Sequence, residues 1–254
     1  MKKYTIFLIV FLCSIFIEAQ IPQKENLDNL LNSFESEYKA MGTVSIAEKG
    51  ITTYQNSIGF SSLTLNKKAN EYTKYRIGSI TKTFTATVIL QLVDEGKIKL
   101  NTLLKEYFPE IPNANKITIE HLLYHRSGLY NITKEEGFHL WINKARSRSE
   151  MLEKMIQNGV VFDPNAKKEY SNTNYILLSY IAENIDKKAF AEILQKRILQ
   201  PLGLVNTHFG KEINLNKNEA TSYYWTDSKW IPITIETNLK GQWEQEQLYQ
   251  HQKN

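Results

Sequence analysis

Cysteine is almost missing from this 254-residue chain, and the single one, Cys13, lies in a segment that we expect to be removed. A mature protein without cysteine has no disulfide, no thiol nucleophile and no cysteine-based metal site. Its stability must therefore come from a hydrophobic core, and about 235 residues are ample for one domain or two closely packed lobes.

Internal repeats, low-complexity linkers and a strong charge imbalance are absent as well. The formal net charge is +4 at pH 7 with acidic residues interspersed, so nothing indicates a nucleic-acid partner. The five histidines show no paired metal-ligand spacing except His121 and His125, a pair that we attribute to helix packing and capping. We expect one continuous domain at 20–239, a monomer, with no cofactor and no metal.

The first 19 residues have the pattern of a secretory signal peptide. Two lysines give a basic start, an apolar run extends from 6 to 17, and Ala19 is a small residue at the cleavage point. The run is too short for a membrane span. The alternatives are an uncleaved anchor, or a lipoprotein modified at Cys13, against which the bulky Leu12 argues. We expect a secreted or periplasmic protein without a stable membrane span after cleavage.

Hydrophobic periodicity predicts strands followed by a helical block. Residues 43–47 and 51–54 flank a Lys-Gly turn and form a predicted hairpin, and 58–63 is a further apolar run. Six segments have a helical pattern: 27–40, 80–95, 119–126, 150–157, 174–185 and 190–199. This order indicates an α/β fold of the α+β type, in which helices flank an antiparallel sheet and an all-helical lobe runs from about 98 to 200.

Ser79 and Lys82 stand three residues apart at the start of the second predicted helix. This spacing puts both side chains on one face, a turn apart. A lysine in a partly dry pocket can have its pKa lowered enough to take the serine proton, and the helix dipole favours a developing alkoxide. Such a spacing also arises by chance, and the alternative is an N-cap serine beside a solvated lysine.

Tyr170 and Asn172 form a second candidate cluster, between a predicted turn and the helix expected from Asn174. In an extended segment, side chains two residues apart point the same way and can enter one cleft. A tyrosine there can act as general base or acid, and an asparagine can hold a substrate amide. The alternative is a core tyrosine and an asparagine that caps the following helix.

Four ordered segments of the chain resemble the motifs of the class C β-lactamase-related serine hydrolases. This family includes β-lactamases, D-alanyl-D-alanine carboxypeptidases and esterases. The matching segments are Arg-Ile-Gly-Ser-Ile-Thr-Lys with its continuation (76–98), Leu-Leu-Tyr-His-Arg-Ser-Gly-Leu (122–129), Tyr-Ser-Asn (170–172) and Pro-Leu-Gly-Leu with Asn-Thr (201–207). Together they span roughly residues 40 to 210, which is far more specific than the first motif alone.

The resemblance implies a role for each matching residue. Ser79 would be the acyl-forming nucleophile and Lys82 its proton acceptor or electrostatic partner. Tyr170 would be a general base or acid shared with Lys82, and Asn172 would orient the substrate, whereas His125 and Ser127 look structural. The implied fold is β-lactamase/transpeptidase-like. The implied partner is a small-molecule or peptide substrate, namely a peptidoglycan peptide, a β-lactam or an ester.

Two positions depart from the family pattern. Asn165 replaces the usual glycine after proline, and the turn should survive because asparagine tolerates a left-handed conformation. More seriously, no Lys-Thr-Gly or His-x-Gly motif appears on a late strand, and we regard the early His208-Phe209-Gly210 as a coincidence. The sheet would then lack its C-terminal strands and keep an unpaired edge. A catalytically impaired fragment or a binding-only member is therefore the alternative to an active hydrolase.

Residues 240–254 form a polar tail rich in Gln and Glu without an apolar period. A shift of one reading frame turns the codons of Trp243-Glu244 into a glycine codon, and the neighbouring codons permit the Gly-rich, Ser-Thr-ended segment with which the family continues. We expect a frameshift near Lys240. The alternative is a natural short variant with a disordered tail.

The frameshift hypothesis predicts an intact alternative frame in the gene. Because the hypothesis places the rest of the sheet downstream of Lys240, that frame should encode it together with a Lys-Thr-Gly or His-x-Gly motif. Sequencing the gene through this region is the measurement, and a stop codon in every frame would exclude the hypothesis.

Overall fold

A computed structural model gives the structure of the protein and describes residues 24–141, 146–210, 213–226, 228–233 and 248–250. The predicted signal peptide at 1–19 and most of the predicted tail at 240–254 lie outside these residues. Within the described ranges, none of the helices has the length and hydrophobicity needed to cross a bilayer.

One helix and five short strands come first in the described chain, helices follow through its middle, and four short strands come last. The helices are α1 (Lys24–Ser36), α2 (Thr81–Asp94), α3 (Ile119–Leu123), α4 (Phe138–Trp141), α5 (Arg148–Asn158), α6 (Asn172–Asp186) and α7 (Phe190–Leu194), which continues into a π-helical turn (Gln195–Leu199). The strands are β1 (Gly42–Glu48), β2 (Ile51–Ile58), β3 (Phe60–Ser62), β4 (Lys67–Lys68), β5 (Tyr75–Arg76), β6 (His208–Phe209), β7 (Tyr223–Thr226), β8 (Lys229–Pro232) and β9 (Leu248–Gln250). This order confirms the predicted class, a sheet flanked by helices with a helical lobe.

The described strands form four small antiparallel sheets. The sheets are β1–β2, β3–β4, β5–β9–β6 and β7–β8. The predicted hairpin is confirmed, since β1 and β2 pair with Ile46 opposite Tyr54. A hydrogen bond of 2.9 Å between the Thr43 and Tyr75 hydroxyls connects β1 to β5, the strand that leads to Ser79.

The expectation that the tail adds no strand is wrong at one place. β9 lies between β5 and β6 and pairs antiparallel with both. The β7–β8 hairpin also follows the helical lobe. Three residues are too few to show a period-2 pattern, which is why the sequence did not reveal β9.

Two helices, α1 and α3, stop several residues before their predicted ends. α1 stops at Ser36 rather than at residue 40, because Tyr38 has a φ of 55° and is 66% exposed. Tyr38 fits the helical spacing of apolar residues in the sequence, which extended the predicted helix, but its side chain does not enter the core. α3 is also shorter than predicted and ends at Leu123, after which the chain turns through a left-handed His125 with φ 57°.

The main hydrophobic core lies in the helical lobe, where α2 packs against α6. The side chains of Val88, Ile89 and Leu92 on α2 are completely buried, as are those of Leu177 and Ile181 on α6. Each such side chain stabilises the fold by about 1.5–3 kcal/mol relative to full exposure. The packing therefore fixes the two helices that carry the predicted site.

An ion-pair network fixes the other ends of the same two helices. Arg197, in the π-helical turn, donates from Nε to Asp186 at the end of α6 (2.6 Å) and from Nη1 to Glu95 after α2 (2.6 Å). Hydrogen bonds from Arg197 and Lys97 lower the pKa of Glu95 to about 2. Since the Arg197 side chain is only 14% exposed, this pairing is protected from screening more than a surface pair would be.

Gly128 offers a test of the turn that follows α3. Its φ is 80°, and a Cβ built there lies 1.9 Å from the backbone oxygen of Phe162. Gly128→Ala should lower the free energy of unfolding by about 2–5 kcal/mol, since left-handed strain adds to a backbone clash. Urea denaturation measures the loss.

Gly96→Ala is the matched control for this prediction. Gly96 also has a positive φ, 69°, but an added Cβ meets no atom within 4 Å. This variant should lose only the strain energy, about 1–2 kcal/mol. Equal losses in the two variants would contradict the close approach to Phe162.

Candidate active site

Ser79 lies where the chain passes from β5 into α2. A 3-10 turn at Gly78–Ile80 directly precedes α2, so the predicted helical start around Ser79 is confirmed. Ser79 is exposed, whereas Lys82 in the first turn of α2 is only 7% exposed. The Lys82 Nζ donates to the Ser79 Oγ at 3.2 Å. The two side chains thus share one face, as their spacing predicted.

Tyr170 reaches the same place from the segment before α6. Its hydroxyl lies 2.7 Å from the Ser79 Oγ in a hydrogen bond across 91 residues of sequence. The Lys82 Nζ lies 5.2 Å from the centre of the Tyr170 ring and 5.8 Å from that of Tyr175. The structure therefore brings together the hydroxyl, the amine and the phenol that the sequence singled out.

The start of α6 is held by a residue from another segment. Ser171 is the N-cap residue, but its side chain makes no capping hydrogen bond. Instead the Asn131 Oδ1 accepts the backbone N–H of Asn172 at 3.0 Å. Asn172 is thus the first residue of the helix, two positions earlier than the predicted start at Asn174, and it receives a cap rather than providing one.

The Asn172 side chain makes one hydrogen bond, to a neighbouring loop. Its Nδ2 donates to the Thr133 Oγ1 at 2.9 Å. Its Oδ1 is buried without a hydrogen-bond partner among the described residues. No hydrogen bond joins it to Ser79, Lys82 or Tyr170 in that part of the chain. Its substrate-orienting role stays a prediction.

A buried polar network lies beneath the tyrosine and includes the two residues expected to be structural. The Ser127 Oγ donates to the Asn174 Oδ1 at 2.6 Å and accepts from the Leu129 N–H at 3.1 Å. The Asn174 Nδ2 faces the His125 Nδ1 at 3.2 Å. His121, by contrast, belongs to a capping box with Thr118 at the start of α3, which confirms its predicted capping role.

Sequence reasoning missed four residues that support the site. Asn131 and Thr133 lie in a loop distant in sequence, and no local pattern marks them. Tyr175 and Asn174 follow the Tyr-x-Asn motif on α6, and their position one turn beyond the motif was the available signal. All four act through contacts that depend on tertiary packing.

Two interpretations of motif departures can be compared with the structure. Asn165 has a φ of 69°, which confirms that the turn keeps a left-handed residue, and its Oδ1 accepts from the Arg126 Nε at 2.6 Å. His208, on β6, has its Nε2 3.1 Å from the Glu219 Oε1. The interpretation of His208 as a coincidental match stays a prediction.

The model of the β-lactamase family matches residues 27–238. This chain belongs to the β-lactamase family. The match includes all four segments on which the resemblance rests, from Ser79 to the region after α7. It confirms the family and, with it, the predicted fold.

Curated and solved relatives agree with that membership. Protein flp of Staphylococcus aureus (strain MRSA252) is 30% identical over 203 residues, which cover 78% of this chain and 40% of flp. The crystal structure of FmtA from Staphylococcus aureus has 25% identity and a TM-score of 0.76, covering 91% of this chain and 63% of FmtA. The chain thus spans about two fifths of the length of the curated relatives it matches.

A second solved structure supports the fold alone. The D-amino acid amidase from Ochrobactrum anthropi SV3, complexed with L-phenylalanine amide, is 24% identical with a TM-score of 0.75. The alignment covers 89% of this chain and 67% of the amidase. Members of the β-lactamase fold with different names therefore share this arrangement of helices and strands.

Two serine substitutions separate packing from chemistry. Ser127→Ala leaves the Asn174 Oδ1 and the Leu129 N–H without their buried partner and should cost about 1–3 kcal/mol of unfolding free energy. Ser79→Ala, at an exposed position, should change it by less than about 0.5 kcal/mol. Urea denaturation of both variants measures the two losses. A loss for Ser127→Ala that is no larger than the loss for Ser79→Ala would contradict the assignment of Ser127 to the buried network.

Proposed function

We propose that this chain is a serine hydrolase that acts through a covalent acyl-enzyme on an amide, ester or β-lactam carbonyl. One observation carries the proposal: the Ser79 Oγ lies 2.7 Å from the Tyr170 hydroxyl and 3.2 Å from the Lys82 Nζ. A serine is a weak nucleophile until a neighbour accepts its proton, and these are two groups within hydrogen-bonding reach.

Acylation begins when the Ser79 Oγ attacks the carbonyl carbon. Its proton passes to the Tyr170 oxygen or the Lys82 nitrogen, so one of these groups must start the cycle deprotonated. The bond to the leaving nitrogen or oxygen breaks, and the leaving group takes that proton. Water then attacks the acyl-Ser79 ester and gives a proton to the same group. That group passes the proton to the Ser79 Oγ as the acyl bond breaks, so the acid is released and Ser79 is restored.

The low exposure of Lys82 supports an electrostatic role in both steps. A cation that is only 7% exposed interacts more strongly with a developing negative charge than a solvated one does. The backbone N–H of Ser79 lies at the beginning of the helical segment, where N–H groups lack intrahelical acceptors, and can donate to the oxyanion. Asn172 would orient the substrate amide if its unpartnered Oδ1 receives a substrate N–H.

The substrate class follows from the family and from its named relatives. The Ochrobactrum relative is named an amidase, and another neighbour of the fold, EstCE1, is called a hydrolase with promiscuous acyltransferase activity. Both names describe attack on an acyl carbonyl. A peptidoglycan peptide, a β-lactam and a simple ester are the candidate substrates, and export to the cell envelope would bring the enzyme to the first two.

A second candidate function is binding without turnover. The observation that favours it is the absence of a Lys-Thr-Gly sequence, since β9 reads Leu-Tyr-Gln where a late strand joins the sheet beside β5. In the family this motif strand provides the second oxyanion donor. Loss of one such donor typically lowers the rate by about 10²–10³.

Covalent labelling distinguishes the two functions. The chain should form an adduct with a fluorescent fluorophosphonate and with a fluorescent penicillin, and Ser79→Ala should remove both because the nucleophile is lost. Tyr170→Phe should slow labelling by about 10²–10⁴, the usual contribution of a general acid or base. Gel fluorescence and intact mass report the adduct.

Ser36→Ala is the control, because Ser36 is an exposed serine on α1 whose hydroxyl donates to the Ser33 carbonyl and to no other group among the described residues. It should label as the wild type does. No Ser79-dependent adduct with either reagent, combined with reversible binding of penicillin, would overturn the hydrolase in favour of the binding-only member. A chromogenic β-lactam, a D-alanyl dipeptide and a p-nitrophenyl ester then rank the substrates.

A further inference from the structure

His125 holds the residues on both sides of Tyr170. Its carbonyl oxygen accepts the Glu169 backbone N–H at 2.9 Å, and its Nδ1 accepts the Ser171 backbone N–H at 3.3 Å. The left-handed φ of 57° at His125 allows its carbonyl and its ring to meet the same segment. His125 thus binds the segment 169–171 on both sides of Tyr170.

The imidazole ring of His125 also lies against the phenol ring itself. The two ring centres are 4.7 Å apart with the planes tilted by 37°, and Tyr175 covers His125 with its ring centre at 5.1 Å. Tyr170 is 46% exposed, so a large part of the phenol is not enclosed by the protein. The contact with His125 therefore limits how the phenol can turn away from Ser79.

The hydrogen bonds define the form of the imidazole. Since the Ser127 hydroxyl occupies the Asn174 Oδ1, the Asn174 Nδ2 points at the His125 Nδ1 and donates to it. The Ser171 N–H donates to the same atom, so the Nδ1 carries no proton and the hydrogen is on Nε2. Burial, with the nearby cations Lys82 and Lys168, lowers the pKa of His125 to about 4.

We propose that His125 is a positioning residue for Tyr170, in which a neutral imidazole sets the phenol at the Ser79 hydroxyl through one accepted hydrogen bond and one ring face. This rests on the proposed function of Ser79, Lys82 and Tyr170. No hydrogen bond joins His125 to Ser79 or Lys82 in the part of the chain that the structure describes, so its proposed action is through the tyrosine. A displacement of the phenol by about 1 Å is enough to cost on the order of 10²-fold in rate.

The same geometry makes the site sensitive to acid. The titratable and charged groups that face His125 are Lys82 on α2, Lys168 and Tyr170 before α6, and Tyr175 on α6. Protonation places a hydrogen on Nδ1, where the Ser171 N–H must donate, and adds a cation beside Lys82. Because the pKa of folded His125 lies below its ordinary value, the neutral form persists until the pH falls through about 4.

Three substitutions separate the hydrogen bond from the ring. His125→Asn keeps an acceptor close to the Nδ1 position and tolerates the left-handed backbone. His125→Phe keeps the ring face without the acceptor, and His125→Ala removes both. The rate of Ser79 labelling by the fluorophosphonate should fall on the order of 10²-fold for Ala and less for Asn and Phe. Urea denaturation at pH 7 identifies variants that fail to fold, and only folded variants are compared.

His121→Asn is the matched control because His121 caps α3 four residues earlier and has no contact with Tyr170 among the described residues. It should change stability without changing the labelling rate. A labelling rate that does not depend on His125 in folded variants overturns the positioning role and leaves the proposed function intact. No Ser79 adduct in the wild type overturns the proposed function and this role with it.

A pH profile gives a readout that a purely structural role would not change. Both proteins share the pH dependence of the group that accepts the Ser79 proton. The wild type should show in addition a steeper fall in labelling rate below about pH 4 that His125→Asn lacks, since the asparagine cannot titrate. The loss of this additional break together with retention of most activity at pH 7 supports the role. The same break near pH 4 in both proteins contradicts it.

Discussion

The packing of α2 against α6 determines where the three groups of the candidate site lie. α2 carries Lys82 in its first turn, with Ser79 just before the helix, and Tyr170 stands two residues before α6. Completely buried aliphatic side chains lock the two helices together at their centres, and Arg197 links the regions where they end. A core packed this closely does not deform gradually, so contacts outside the candidate site fix the separation of the serine and the phenol.

The lysine owes its low exposure to that same junction. Its stem is buried while its amine faces a hydroxyl and two aromatic rings. The rings exclude water and present their negative faces to the cation. The ammonium charge of Lys82 therefore stays close to the place where the proposed reaction would create negative charge on a substrate oxygen. Water would screen the charge of a solvated lysine from that oxygen.

Helical spacing in the sequence was sufficient to predict the Ser79–Lys82 pair, but no local pattern was sufficient to predict the approach of Tyr170. The relation of Ser79 to Lys82 follows from helical spacing, and the β1–β2 hairpin follows from two apolar runs around a glycine turn. The approach of Tyr170 across 91 residues could be expected only from the family resemblance, because no periodic pattern records a contact between distant segments. Asn131 and Thr133 were not predicted at all, because a single hydrogen bond between distant segments produces no recognisable sequence pattern.

The bond from Asn131 to the first N–H of α6 has a consequence for local opening of the molecule. The cap on the first turn of α6 comes from Asn131, which lies 41 residues earlier in the chain. When the loop that carries Asn131 detaches, α6 loses this cap. Fraying of α6 would therefore start at the end that carries the phenol, while the apolar middle of the helix stays protected. The Asn172 amide should accordingly exchange its hydrogen on the timescale on which the loop opens, well before the lobe as a whole unfolds.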